Sequence, residues 1–372
     1  MSAAPVEGTS RTKYRIVAAQ EPTRVMQVAV PLASLLLALV AGGLIMLAAG
    51  ENPFTVYEAM FRGAFGSSYN RSEVLVKMIP LLLTGLGVSV AFRMRLWNIG
   101  AEGQFYLGAI FATWIALFAL PDAPAIVVIP VMVMAGMLGG ALWAAIPGAL
   151  RAWMGVNETI TTLMLNYVAI KISEYLVHGP WKNPQGFGFP GTKMFGPETY
   201  LWTWGTTRVH LGLVFGLVAA GVLWLVFRNT RWGYEIEVAG QSERVARYAG
   251  MATARNILIV LMLSGALAGL AGMAELTGIG HSLQRNLSPG YGYTAIIVAW
   301  LGRLHPAGII LVAYALAALM VGGDQIQMSL GLPGAIAPTL QGVILFCLLG
   351  GETMLRYRIE RAPIESMAGG EA

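Results

Sequence analysis

The sequence predicts an all-α, polytopic membrane protein: a bundle of about ten transmembrane helices, one of them short or broken, with both termini cytoplasmic. Three observations predict it. Of the 372 residues, 56% are hydrophobic and only 12% charged, more apolar surface than one soluble core of that length encloses. The apolar residues come in stretches of about 20, the length a helix needs to cross hydrocarbon. Finally, the net charge of +5 is carried in short basic blocks between those stretches rather than on one face, which fits membrane topology and not a nucleic-acid surface.

In chain order, residues 1–27 form a cytoplasmic tail bearing Arg11, Lys13, Arg15 and Arg24. The apolar run that follows exceeds the roughly 7–15 residues of a signal-peptide core, so 28–49 reads as a retained first span. Further spans fall near 74–92, 99–119, 125–150, 157–178, 209–227, 256–280, 306–323 and 334–350. Residues 292–302 are too few for a straight crossing and read as a broken or re-entrant helix. Counting that segment as a crossing keeps Arg356, Arg358 and Arg361 on the same side as Arg93, Arg95, Arg151, Arg303 and the basic residues of 228–255, as the positive-inside tendency asks. One transmembrane domain, 28–350, is expected, with loop 179–208 outside and loop 228–255 inside. Residues 351–372 make a cytoplasmic tail whose Ala-Gly-Gly-Glu-Ala end is expected to be disordered. Two small-residue segments, 84–108 and 264–302, leave an inverted duplication open.

Several chemistries are excluded. The single cysteine, Cys347, lies in the last apolar segment, so the chain offers neither an internal disulfide nor a Cys-based metal site. No metal and no cofactor is expected. The five lysines are Lys13, Lys77, Lys171, Lys182 and Lys193. None stands in a GxxxxGK[ST] phosphate loop, so the chain is not expected to hydrolyse ATP.

Polar residues inside spans mark candidate sites, because each must be hydrogen-bonded or wetted there. Asn98 stands where it can cap the third span, with Glu102 and Gln104 in its first turns. The pair Asn98 and Glu102 reads either as cap and dipole partner, packed near Arg93 or Arg95, or, with Gln104, as part of a translocation path. In the fifth span Thr159, Thr162 and Asn166 recur at i, i+3 and i+7 on one face. That stripe reads either as neutral lining for a polar solute or as interhelical hydrogen bonding. Around the short helix, Thr294 and Trp300 with flanking glycines read as pore lining, against plain helix breaking and interfacial anchoring. Lys171 and Glu174 read as a local ion pair, and Asp324, Gln325 and Gln327 as the solvated end of a span. Gly265 with Gly269 and Ala268 with Gly272 form two small-xxx-small rows for close helix packing, the neighbour being left open. In loop 228–255, a break at Gly233 leads to Gln241-Ser242-Glu243, which can cap a short helix through Tyr248.

The runs Asn98-Ile-Gly-Ala-Glu-Gly-Gln104, Thr162-Leu-Met-Leu-Asn-Tyr167, 239–251 and Ser264-Gly-Ala-Leu-Ala-Gly-Leu-Ala-Gly272, in this order, resemble the permease subunits of bacterial ABC importers. They are most similar to nucleoside permeases, with simple-sugar permeases of the ribose type as the alternative. The resemblance implies an inner-membrane subunit that moves a small polar solute by alternating access. Its implied partners are a second permease, giving a heterodimer, ATPase subunits, and an extracytoplasmic solute-binding protein docking on loop 179–208. It also makes Ser242, Glu243, Arg244, Ala246, Arg247, Tyr248 and Gly250 the helix that couples to the ATPase. The rival class, an ion-coupled secondary transporter, calls for ionisable groups deep in the spans, and the sequence places few there.

Overall fold

The computed structural model describes residues 12–18, 24–186 and 188–363. Its helices are α1 (Arg24–Ala48), α2 (Pro53–Phe65), α3 (Ser68–Arg93), α4 (Ala101–Trp114), α5 (Ala125–Met154), α6 (Glu158–His178), α7 (Gly212–Asn229), α8 (Arg231–Gln241), α9 (Glu243–Tyr248), α10 (Thr253–Glu275), α11 (Tyr291–Leu301), α12 (Pro306–Leu330) and α13 (Ile336–Arg356). Single π turns, Ile115–Ala119 and Leu276–Gly280, extend α4 and α10.

All the expected spans, and the short segment, are helices. Five of these helices are long and apolar enough to cross a membrane, or six if Leu32–Ala48 and Pro53–Phe65 count as one broken span. The remaining expected spans are shorter or more polar: α4 has 14 residues, α11 has 11, and α6 carries Thr, Asn, Lys and Glu along its length.

Contacts divide the chain into two units, 57–334 and the residues before and after it. Residues 335–350 fall in the unit that holds the N-terminal residues. In the terminal unit α1 packs on α13, where Gly351 lies against Ser34. Outside the helices, the two ends form one short strand pair. β1 (Thr12–Ala18) pairs antiparallel with β2 (Tyr357–Pro363), in the register Arg15↔Glu360 and Val17↔Arg358. The C-terminal segment is thus helix to Arg356 and strand to Pro363, while Arg11 and the Ala-Gly-Gly-Glu-Ala end lie outside the described residues.

In the central unit α10 is the axis, buried along nearly its whole length. Its small residues set the packing. Gly265 and Gly269 meet Gly140 and Gly136 of α5, Gly269 also meets Gly108 of α4, and Gly272 lies against the Phe105 carbonyl. Ala268 packs with Val88, Ala101 and Ala295. Without side chains in the way, backbones approach closely enough for van der Waals contact to replace the hydrophobic drive that lipid lacks. The neighbour that the sequence left open is this chain's own α4 and α5.

Capping residues fix the helix starts. Ser67, Asn157, Thr230 and Ser242 accept backbone N–H groups of α3, α6, α8 and α9, meeting donors that would otherwise lack partners. Gly155 and Gly331, in the left-handed region, close α5 and α12. The helix α2 was not anticipated, because Glu58 and Arg62 interrupt its apolar run. Its Met60 and Ala64 face inward, and Met60 lies against Gly322 of α12.

Candidate functional site

The chain leaves α3 through a tight turn with Arg95 at φ 55°. Arg95 N–H bonds the Phe92 carbonyl at 2.9 Å, and Leu96 N–H bonds that of Ala91 at 3.1 Å. The same turn follows α11, with Arg303 at φ 51° and bonds to Trp300 and Ala299. Arg93 ties the two turns together, donating to the Leu304 carbonyl at 2.6 Å. From Arg95 the chain re-enters the bundle and reaches Ser264, eleven residues into α10 and about 16 Å from its start.

There the sequence-predicted polar residues converge. Asn98 Nδ2 donates to Gln104 Oε1 at 3.0 Å and to Ser264 Oγ at 2.8 Å, while Asn98 Oδ1 accepts from Gln104 Nε2 and Gly100 N, both at 3.0 Å. Thr162 Oγ1 accepts Ile99 N–H at 3.3 Å. Asn166 Oδ1 accepts Gly103 N–H, and its Nδ2 donates to the Ile99 carbonyl, both at 2.8 Å; Nδ2 also reaches Tyr293 OH at 3.4 Å. Asn98 and Asn166 are 0% exposed, Gln104 and Thr162 1%, and Glu102 2%. In this conformation these groups hold one another.

Two details differ from the expectation. Gly100, not Asn98, occupies the N-cap of α4; Asn98 instead turns back onto Gly100. Glu102 meets neither Arg93 nor Arg95. Its Oε2 accepts Gly292 N–H at 2.7 Å, so the carboxylate sits at the N-terminus of α11, where helix dipole and free N–H groups favour it. Gly292 permits this approach, since a Cβ there would stand 2.7 Å from the Ala101 carbonyl carbon.

Thr159 lies one turn before Thr162 and accepts that hydroxyl through its carbonyl at 3.2 Å. Thr294 is buried on α11. Trp300 is partly exposed in a trio of tilted rings, with Phe92 at 6.0 Å and Trp97 at 5.9 Å. The sequence reading missed Ser264 as partner of Asn98, although it is the one hydroxyl in the apolar run 257–272. It also gave no role to Glu158, whose Oε1 accepts Trp97 N–H at 3.3 Å and whose Oε2 lies 3.4 Å from Arg151 Nε. Lys171 and Glu174 pair at 2.6 Å, as read locally.

A charged group occupies the end of the bundle that carries the 179–211 loop. Lys77 pairs with Asp324, and Arg208 Nη1 lies 3.1 Å from Glu73 Oε2. Asp324 is therefore a paired residue rather than merely a solvated helix end. Glu73 Oε1 and Glu275 Oε2 are enclosed with no hydrogen-bond partner among the described residues. These charges went unread because Lys77 and Glu275 are single interruptions of long apolar runs.

The loop itself is stitched to 277–284. Leu201 N–H bonds Thr277 O at 3.3 Å, Phe195 N–H bonds His281 O at 2.9 Å, and Thr192 N–H bonds Leu283 O at 2.9 Å. Tyr200 stacks on His281 at 3.7 Å. His210, fully buried, accepts Gly212 N–H at its Nδ1. Burial, then the charges of His281 and Arg208, press its imidazole down to about 4, so it is neutral at pH 7.

In loop 228–255, Gly233 is not a break. It sits in the first turn of α8, capped by Thr230, close against Val226 and Phe227. The short helix α9 follows, with Ser242 Oγ accepting Val245 N–H at 3.4 Å. Ala246 is buried, whereas Arg244, Val245, Arg247 and Tyr248 point away from the bundle, Tyr248 being 97% exposed. Glu243 pairs with Arg247, and Gly250 follows at φ 75°.

The sequence model of a family described as branched-chain amino acid transport system, permease component, matches residues 70–349. The chain is 36% identical over 339 residues to a glucose ABC transporter permease of Haloferax volcanii, covering 88% of this chain and 89% of that protein. It is 33% identical to a guanosine ABC transporter permease of Bacillus subtilis, covering 87% and 93%. A nucleoside ABC transporter permease of Lactococcus lactis is also 33% identical, with coverage of 86% and 90%.

Proposed function

The chain belongs to the family of branched-chain amino acid transport permease components and is an ABC importer permease, and on that basis we propose that its solute is a nucleoside. Two similar permeases carry nucleosides in their names. The half-exposed rings of Trp97, Trp300 and Tyr293 offer flat faces suited to a base. A simple sugar is the second reading, favoured by the glucose permease relative.

In this reading the chain spans the cytoplasmic membrane with α9 on the cytoplasmic side and both termini inside. It pairs with a second permease, ATPase subunits and a solute-binding protein that docks over loop 179–208. The observation that carries the coupling role is the build of α9. A six-residue helix has little stability of its own, yet it turns one residue, Ala246, inward and Val245 and Tyr248 outward, as a helix seated in another protein's groove would. The polar knot around Asn98 then acts as the rigid link between α4, α6, α10 and α11, through which movement at α9 reaches the path.

The test is uptake by the assembled transporter in membrane vesicles. Labelled guanosine should enter only with ATP and with the binding protein, and unlabelled glucose should compete poorly. Strong competition by glucose would favour the sugar reading. Uptake that survives ATP depletion and collapses with the ion gradient would overturn both.

A further inference from the structure

The charges at the loop end of the bundle are costly where they stand. Glu73 and Lys77 lie one turn apart on α3, about 8 and 14 Å from its start, and Asp324 lies about 9 Å before the end of α12. Glu275 ends the regular part of α10. Side-chain exposure falls from 48% at Arg208 and 55% at Asp324 to 23% at Lys77 and 15% at Glu73, so the group opens at one side and closes inward. Tyr291, at the start of α11, is 3% exposed and packs on Phe105 at 6.0 Å. Glu275 stands three residues before Gly278, which lies against the His210 ring two residues from Arg208, and α10 packs along α3, so Glu275 lies at the same end of the bundle as the other three.

Unpaired charge inside a span marks function more often than structure. Here the pairing is incomplete. Glu73 spends one oxygen on Arg208, and its other oxygen is enclosed without a partner among the described residues, as is Glu275 Oε2. Lys77 and Arg208 each have N–H groups beyond those used on Asp324 and Glu73. Carboxylates can only accept and ammonium or guanidinium groups can only donate, so a ligand that completes both sets must do both. Adjacent hydroxyls do: each O–H donates to a carboxylate oxygen while its lone pairs accept from a cation. Two cations against three carboxyl groups leave no excess of positive charge to draw an anion, so a neutral solute fits.

We propose that Glu73, Lys77, Arg208 and Glu275 form an entry subsite for a neutral vicinal diol, the ribose of a nucleoside or the ring of a sugar. Its hydroxyls donate to Glu73 and Glu275 and accept from Lys77 and Arg208. The proposal rests on the importer reading above and adds the part of the solute that is recognised.

The experiment measures initial uptake rates by the complete transporter for guanosine, 2′,3′-dideoxyguanosine and glucose, with membrane abundance and ATPase activity recorded alongside. The native transporter should prefer guanosine to the dideoxy analogue by at least about tenfold in kcat/KM. Glu275→Gln, which keeps shape and loses charge, should raise KM for guanosine several-fold, leave the dideoxy analogue unchanged and so collapse the preference. If that variant fails to accumulate, Arg208→Gln, at a half-exposed position, must show the same collapse. Should glucose be the carried solute, its KM must rise in the same variants, which identifies the hexose as the source of the diol. Normal native uptake with an unchanged preference in the variants overturns this inference alone. A native transporter that carries neither solute overturns the importer reading of the substrate and this inference with it.

Discussion

The polar knot around Asn98 and the charged group around Arg208 differ in how completely their hydrogen bonds are made. In the knot, amides and hydroxyls face one another or the backbone, and its one acid, Glu102, rests on a helix N-terminus. In the charged group, Glu73 Oε1 and Glu275 Oε2 remain enclosed without partners among the described residues. A satisfied buried network specifies one arrangement and resists change, whereas an unsatisfied one stores a preference for whatever completes it. The first is therefore suited to position helices and the second to meet a solute.

The largest effect should come from breaking the seam that holds the knot to α11. Gly292→Val would drive a side chain into the backbone at Ala101 and Glu102, and folded, monodisperse protein should be lost from detergent extracts. Native yield with native uptake would show that α11 does not need Glu102.

Next is a break away from both regions. Ala246→Pro removes the bond from Ala246 N–H to Ser242 O and costs about 3 kcal/mol within the helix. Uptake and ATPase assembly should be abolished while the thermal midpoint of the bundle stays near native. Glu243→Ala, which loses only an exposed pair with Arg247, should be mild. An Ala246→Pro variant that transports at the native rate would remove the coupling role from α9.

A direct comparison of the two regions pairs Asn166→Leu with Glu275→Gln. The first strands Gly103 N–H and the Ile99 carbonyl, at about 1–3 kcal/mol each, and should lower the thermal midpoint by several degrees. The second removes a poorly compensated charge and should leave the midpoint unchanged or raise it. A reversed order would undo the contrast between a structural knot and a solute-binding group.

The smallest effect is one of pH. Because the His210 imidazole titrates at about 4 when folded against 6.5 ordinarily, protonation favours unfolding. Its contribution is complete above about pH 6.5, is lost progressively as the pH falls toward 4, and levels off below; the full amount is on the order of 3 kcal/mol. Thermal midpoints measured from pH 7.5 to 4.5 should decline, and His210→Phe should flatten the decline. An equal slope in both proteins would assign it to other groups.

Helix placement was legible in the sequence because hydrocarbon thickness and backbone satisfaction leave a spanning chain few options. The apolar runs, the short segment 292–302, the Ser242 cap and the small-residue rows of α10 all follow from local composition. So did the identity of the knot residues, since an Asn or Gln at a span's lip has to find partners. Which partners they find depends on helices far apart in the chain: Asn98 with Ser264, Asn166 with Ile99 and Gly103, Glu102 with Gly292. No periodicity carries that information. Only the tertiary structure, by crossing α10 against α4 and α5 through glycines and by bringing α3, α10, α12 and Arg208 to one end, decided that Asn98, Gln104 and Asn166 close on neighbouring groups while Glu73 and Glu275 each keep an oxygen with no partner among the described residues.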